Sequence, residues 1–325
     1  MARKWITGID IGHHSAKAVV LVCNGTDISL VNHLELKGCD AIFSDPHALK
    51  HQDSVKKLKI LRKIAPLFRN SAAIVLPESA VISKVVTLEA GLEGQEQELA
   101  IEQAMNHQTP YPMDDIALDF IKETEEDNVA VEAYRVHVTK QSIVDSWSQV
   151  ITKLGFRPKL LDTNNGALRG VQSWVCAHTP SLANHAVLDL GCVQATLLPP
   201  PALSPELAKS WVLEPIPELQ NRAESQFKSL SEVVFESVAG RVASQLQLYR
   251  SVAGKEAIDG VILMGGHAQQ EGVIDRVTKA LSCPIACIDL QRLSTSKTKS
   301  GQPLSPCYAS AVGAAINGLN WLKRH

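Results

Sequence analysis

Apolar positions along this chain switch between a period of two and helical spacing. From Thr7 to Leu36 the order is Ile9 and Ile11, then Ala16-Lys17-Ala18-Val19-Val20-Leu21-Val22, then Ile28 to Leu36. This pattern predicts three strands joined by turns, most simply as antiparallel hairpins. Between Asp53 and Arg69, the apolar residues Val55, Leu58, Leu61, Ile64, Ala65 and Phe68 recur at helical spacing. The predicted helix carries Lys56, Lys57, Lys59, Arg62, Lys63 and Arg69 on its other face. Such a face is either solvated or, in a protein that works at a membrane, turned to anionic lipid headgroups.

A compact unit is predicted from about Ser71 to Pro158. It opens with strands around residues 73–77 and 81–86, followed by a helix over about Gly94 to Gln108 with Leu99, Ile101, Ala104 and Met105 in its core. Thr109-Pro110-Tyr111-Pro112 stops that helix, because proline cannot continue it and restricts the residue before it. Strands over 116–122 and 129–139 flank an acidic hairpin tip at Glu123 to Asn128, and a helix from Gln141 to Leu154 ends at Gly155. Beyond lie a helix near 166–177, the strand Ala186-Val187-Leu188-Asp189-Leu190, and a proline-rich stretch at Pro199-Pro200-Pro201. A long helix over 232–252, a strand at Val261 to Gly266, a polar loop over 294–306 and a small-residue helix over 308–322 complete the chain. No fixed-period repeat is present. Instead a strand, a carboxylate turn and a hairpin occur twice, starting near residues 6 and 186.

Composition narrows the class. The chain has 325 residues, 45% hydrophobic and 20% charged, which describes a globular protein with room for two domains or for one with an insertion. A net charge of −2 argues against a dedicated nucleic-acid binder. No apolar run reaches the roughly 20 residues of a spanning helix, and Met1 to Trp5 lead into a strand with no room for a secretory signal. Seven cysteines without framework spacing suit a reducing cytosol. Cys283 and Cys287 are expected in the core. The expectation is a cytoplasmic protein.

The candidate chemistry lies where strands meet glycine turns. Gly8-Ile9-Asp10-Ile11-Gly12-His13-His14-Ser15 and Asp189-Leu190-Gly191-Cys192 each put one carboxylate beside a turn whose N–H groups suit phosphate, and Met264-Gly265-Gly266 adds a third turn. No Gly-x-x-x-x-Gly-Lys-Ser/Thr loop is present, which disfavours a P-loop ATPase.

These three turns, together with Gly313 in the terminal small-residue helix, resemble the two phosphate motifs, the adenosine motif and the second connecting motif of the actin-like ATPase superfamily. Within it the chain is most similar to the PilM family of type IV pilus assembly proteins, relatives of the division protein FtsA. The most specific stretch is Gln103 to Asp119, with Pro110-Tyr111-Pro112-Met113-Asp114-Asp115 and Leu118-Asp119, and Leu76 to Lys84 also resembles the family's strand entry into its inserted subdomain. The resemblance implies an α/β, actin-like fold, a duplicated ribonuclease H-like core with a small inserted α+β subdomain. Residues 1–70 would form the first half of the core, 71–158 the insertion, 159–185 the return through a connecting helix, and 186–325 the second half.

It also implies a site. Asp10 and Asp189 would hold magnesium through its waters. Gly12, His13, His14 and Ser15 would form the first phosphate turn, with Lys17 as a phosphate contact or a surface lysine. Gly191, Cys192 and Val193 would form the second turn, and Gly265, Gly266 and His267 would lie against adenosine and ribose. The ligand would be ATP or ADP. Histidines at 13 and 14, Cys192-Val193-Gln194, the segment 197–219 and Arg241 depart from the family pattern and imply weak hydrolysis or none. The implied partner is the N-terminal cytoplasmic tail of PilN, together with other inner-membrane pilus assembly proteins, so that a cytoplasmic chain without an amphipathic C-terminal tail reaches the membrane indirectly. Two alternatives stand beside this reading. One is an FtsA-like, self-associating filament former, and the other a small-molecule kinase with Asp162 as base, a residue that would otherwise cap the connecting helix.

Overall fold

The computed structural model describes residues 3–39, 42–43, 47–123, 130–213, 232–253, 258–288, 290, 293 and 304–324. Most of the acidic tip at 123–128, part of the 197–219 segment and most of the 294–306 loop therefore lie outside the described residues.

The duplication anticipated from the two carboxylate strands is the organising feature. In the first sheet, β1 (Lys4–Ile11), β2 (Ser15–Asn24) and β3 (Asp27–Lys37) form an antiparallel meander, extended in parallel by β4 (Ser71–Leu76) and β8 (Arg157–Thr163). The order is β3-β2-β1-β4-β8. The second sheet repeats it as β11-β10-β9-β12-β13, with β9 (His185–Leu190), β10 (Gln194–Leu198), β11 (Lys209–Val212), β12 (Gly260–Met264) and β13 (Ile285–Cys287). Central strands of such sheets are covered on both faces, and β1 and β9 are accordingly buried over consecutive residues, Ile6 to Ile9 and His185 to Leu188.

Two helices lie between the sheets, α4 (Asn164–His178) and α7 (Ala309–Arg324). One core joins Ile6, Val19, Ala73 and Val75 of the first sheet to Val187, Ile262 and Met264 of the second through these helices. Small residues set the spacing. A Cβ on Gly313 would stand 1.7 Å from the Ala167 carbonyl oxygen, and one on Gly8 2.0 Å from that of Ala311. Bulkier residues at either position would force the layers apart. The outer face of the first sheet is closed by α1 (His51–Leu58), the 3-10 segment Lys59–Ile64 and α3 (Gln141–Lys153), and that of the second by α5 (Glu232–Ala253) and α6 (Val273–Leu281).

The helix expected over 53–69 is thus shorter. It tightens to 3-10 after Leu58, which keeps Leu61 and Ile64 buried, and it stops before Phe68, which is 88% exposed. Arg62 leaves the expected basic face, donating to the carbonyls of Gly155 and Ala65 and lying over the Phe156 ring.

The inserted unit is also smaller than residues 71–158. β4 and β8 belong to the first sheet, and α3 packs Trp147, Val150 and Ile151 into the core beneath it. What remains is a three-stranded antiparallel sheet, β5 (Ile82–Glu89), β7 (Val131–Lys140) and β6 (Ile116–Lys122), covered on one face by α2 (Gly94–Asn106). Ile101 and Met105 are fully buried there, whereas Leu99 is 55% exposed because it falls on the outer face of α2. Cys283 is buried as expected, but Cys287 is exposed at the edge strand β13.

Candidate functional site

The two carboxylate turns are built alike. In each, the glycine two residues after the aspartate donates its N–H back across the turn, Gly12 to the Ser15 carbonyl at 3.1 Å and Gly191 to that of Gln194 at 2.9 Å. The residue opposite each aspartate differs, being Lys17 for Asp10 and Thr196 for Asp189. Thr196 is buried and tied to the Ser210 hydroxyl at 2.9 Å. Lys17 instead stays beside its aspartate.

Its Nζ stands 3.7 Å from Asp10 Oδ2 and 3.5 Å from the Ser15 carbonyl. Burial alone would lower the Lys17 pKa, but Asp10, then Cys307, Glu35 and Asp189, outweigh it and hold the ammonium above its ordinary value. Asp189 is pushed up to about 7, by burial and then by the charge of Asp10, with Lys17 opposing. The charges of Asp10 and Asp189, one carboxylate from each half, therefore act on each other and on Lys17. Two ionised carboxylates there would carry more negative charge than one lysine offsets, a deficit that a bound cation relieves.

The third turn closes on the second. Gly265 has φ +94°, and a Cβ there would meet the Leu190 carbonyl at 2.4 Å and Asp189 Oδ1 at 2.6 Å, so only glycine lets β12 end against the Asp189 turn. Its N–H donates to the Pro306 carbonyl at 3.2 Å, which brings Cys307 and Tyr308 beside the cleft. His267 is buried, retaining 3% of its surface. In the first turn His13 stacks face to face on Phe43 at 4.2 Å and 13°, while the His14 carbonyl accepts the N–H groups of Gly38 and Cys39. Cys192 and Val193 sit half-buried in the second turn. Arg241 is exposed on α5.

Two groups escaped the reading of the sequence. Glu35 accepts the Ser15 hydroxyl at 2.7 Å and faces Lys17 across β2 and β3. The pairing Lys17↔Glu35 depends on a bulge between Val20 and Leu21 that shifts the register by one. The second group is the connector. Thr163, rather than Asp162, caps α4, its side chain accepting the Gly166 N–H at 2.9 Å. Asp162 instead accepts from Asn317 Nδ2 on α7 at 2.7 Å, and Glu78 accepts the Asn165 N–H at 2.9 Å. Burial pushes Asp162 up to about 7, with Glu78 adding to the rise. That role is structural, so no general base for a small-molecule kinase is found at Asp162.

A family model described as "Type IV pilus assembly protein PilM" matches residues 8–198, more than half of the chain. The chain belongs to the PilM family. A chain of a solved PilM-PilN type IV pilus biogenesis complex is similar over 97% of this chain and 98% of its own, with 16% identity and a TM-score of 0.75. The cytoplasmic domain of EpsL, an inner membrane component of the type II secretion system of Vibrio cholerae, aligns over 97% of this chain and 95% of its own, at 9% identity and a TM-score of 0.50. No curated protein matches by sequence. At these identities the solved structures speak to fold alone, and that fold is actin-like. The protein is an actin-like member of the type IV pilus assembly machinery. No helix among the described residues is long and apolar enough to cross a membrane.

Proposed function

We propose that this PilM-family chain is a nucleotide-binding scaffold that captures the N-terminal cytoplasmic tail of PilN at the inner membrane. What supports the nucleotide half is the set of three glycine turns with Asp10 beside Lys17, Gly265 against Asp189, and the charges of Asp10 and Lys17 acting on Asp189. Gly12 to Ser15 and Gly191 to Val193 would line the phosphates, Lys17 would contact one of them, and Gly265 and Gly266 would lie along the nucleoside. Among the described residues no group of three or more metal-binding side chains occurs. Magnesium would therefore rest on Asp10 and Asp189, through water, and on phosphate oxygens, the arrangement that ion favours. When bound it supplies charge neutralisation between the halves.

Support for the partner comes from the family and from the solved complex that joins a PilM to PilN. The inserted unit offers a place. Each of its outer strands, β5 and β6, pairs on one side only among the described strands, and the face not covered by α2 is polar, carrying Ser83 bonded to His137 at 2.8 Å and Arg135 paired with Glu123. An extended tail lying between this unit and the first half would gain main-chain contacts, with side-chain pockets giving selectivity. Tethered in this way, the protein would sit at the cytoplasmic face of the inner membrane beside other pilus assembly proteins.

Calorimetry with ATP and ADP, with and without magnesium, tests the first half. Asp10→Ala should weaken magnesium-dependent binding while leaving the fold intact, and no heat from either nucleotide at millimolar concentration would refute it. A pull-down with a synthetic PilN tail tests the second half, and failure to retain the full chain would refute capture.

A further inference from the structure

The 3-10 segment after α1 leads into a tight turn, Pro66-Leu67-Phe68-Arg69, closed by the Arg69 N–H on the Pro66 carbonyl at 3.0 Å. Leu67 and Phe68 are 77% and 88% exposed, the two most exposed large apolar side chains among the described residues. Phe68 also has φ +64°, one of two positive values at non-glycine positions among the described residues. A turn of this shape favours glycine at its third residue, and an aromatic there is costly. At that exposure neither side chain is covered by the described residues, and the strain is left without a compensating contact among them.

The surroundings say what would offset them. β1, β4 and β8 are parallel, so their starts lie at one end of the first half, opposite the end that carries Asp10. Arg69 at that end lies over the Trp5 ring, the Arg157 N–H donates to the Asn70 carbonyl, and Lys4 donates to the Leu322 carbonyl at the end of α7. Lys59, Lys63, Arg69, Arg157, Lys323 and Arg324 are exposed around the turn, and the β2–β3 hairpin contributes one carboxylate, Asp27. A chain of net charge −2 thus concentrates cations around its two most exposed apolar side chains. Lysines with apolar stems, set about a projecting Leu-Phe tip, match an anionic bilayer in charge and in polarity. The core of a protein interface, by contrast, is depleted in lysine.

We propose that this end of the first half contacts an anionic bilayer directly, inserting Leu67 and Phe68 among the acyl chains while the surrounding cations meet the headgroups. The nucleotide cleft then faces away from the membrane. The contact is independent of the PilN tail and adds to whatever tether that tail provides.

Sedimentation of the full chain with vesicles tests it, using phosphatidylcholine alone and phosphatidylcholine mixed with phosphatidylglycerol, in the absence of any partner. The chain should bind the mixed vesicles and not the neutral ones, and added salt should weaken binding. Lys59→Glu with Lys63→Glu should reduce binding by about fivefold or more for each charge removed, at roughly the strength of one cation near such a surface. Leu67→Ser with Phe68→Ser should reduce it by about tenfold or more. Phe68→Gly separates lipid contact from folding, because glycine suits the positive φ, so melting should hold or rise while binding falls. Val212→Ser, which removes a side chain 69% exposed on β11, should bind as the parent does. Failure of the parent to sediment with anionic vesicles overturns the inference, and so does undiminished binding by Phe68→Gly and the double serine variant. Self-association of the parent in solution that Phe68→Gly abolishes would assign the tip to a second copy of the chain and also overturn it.

Discussion

Asp162→Asn probes the connector between the halves. Asp162 is pushed from 3.8 up to about 7, chiefly by burial, with the bonds from Asn317 and Thr163 opposing and Glu78 adding to the rise. A rise from 3.8 to about 7 corresponds to about 4 kcal/mol. The residue as a whole retains part of its surface, so solvent screens the charge and brings this down to about 2 kcal/mol. The folded chain keeps a proton on Asp162 that the unfolded chain loses near the ordinary carboxylate pKa. Stability is therefore greatest below that value, falls as pH rises towards about 7, and is flat above it. Asparagine cannot ionise, and its carbonyl can still accept from Asn317, although one acceptor is lost at a cost of about 1 kcal/mol. Relative to the parent, the variant should be about 1 kcal/mol less stable near pH 4 and about 1 kcal/mol more stable near pH 8. Urea midpoints for both proteins across this range measure the difference. A difference that does not change with pH, or that moves against the variant as pH rises, refutes the assignment of a buried, proton-holding carboxyl to the connector.

Gly313→Ala should lower the melting temperature in calorimetry. Its methyl meets the Ala167 carbonyl at 1.7 Å, and overpacking costs of about 1 to 3 kcal/mol exceed the gain of about 1 kcal/mol in helix propensity. Gly265→Ala should abolish nucleotide heats in titration, because a Cβ there strikes both Leu190 and Asp189 and the backbone is left-handed. ATP turnover should stay below about 1 per second, since His13 stacked on Phe43 and half-buried Cys192 occupy turns that must place an attacking water to within about 1 Å. Phosphate release faster than that, lost in Asp189→Ala, would refute it. Ile101→Ala should destabilise the chain by about 2 to 5 kcal/mol while Leu99→Ala changes it by less than about 0.5, as urea denaturation can measure.

Much of this fold was legible in local pattern. Short apolar strands that reach Asp10 and Asp189 each predict a buried strand running into a glycine turn, and their repetition half a chain apart announces the duplicated sheets. Such features depend on residues near one another in sequence, so they are written locally. Where the pattern failed, tertiary contact had overridden it. The helical spacing after Asp53 continued through Phe68, yet Arg62 turned to Gly155 and Phe156, and the chain left the helix to enter β4. Strand Ser71–Leu76 read as part of an insertion until its pairing with Lys4–Ile11 placed it in the core.

The cleft shows the same division. The sequence by itself determined which residues are candidates for phosphate and cation, because carboxylate, lysine and glycine chemistry belongs to the residue types and to their spacing within a turn. Only the tertiary structure decided that Asp10 and Asp189 share a field. It also set Glu35 opposite Lys17 through one bulged residue, and Asn317 against Asp162 across 155 positions of chain. Register and long-range packing depend on where every other buried side chain finds room, and no window of sequence holds that information.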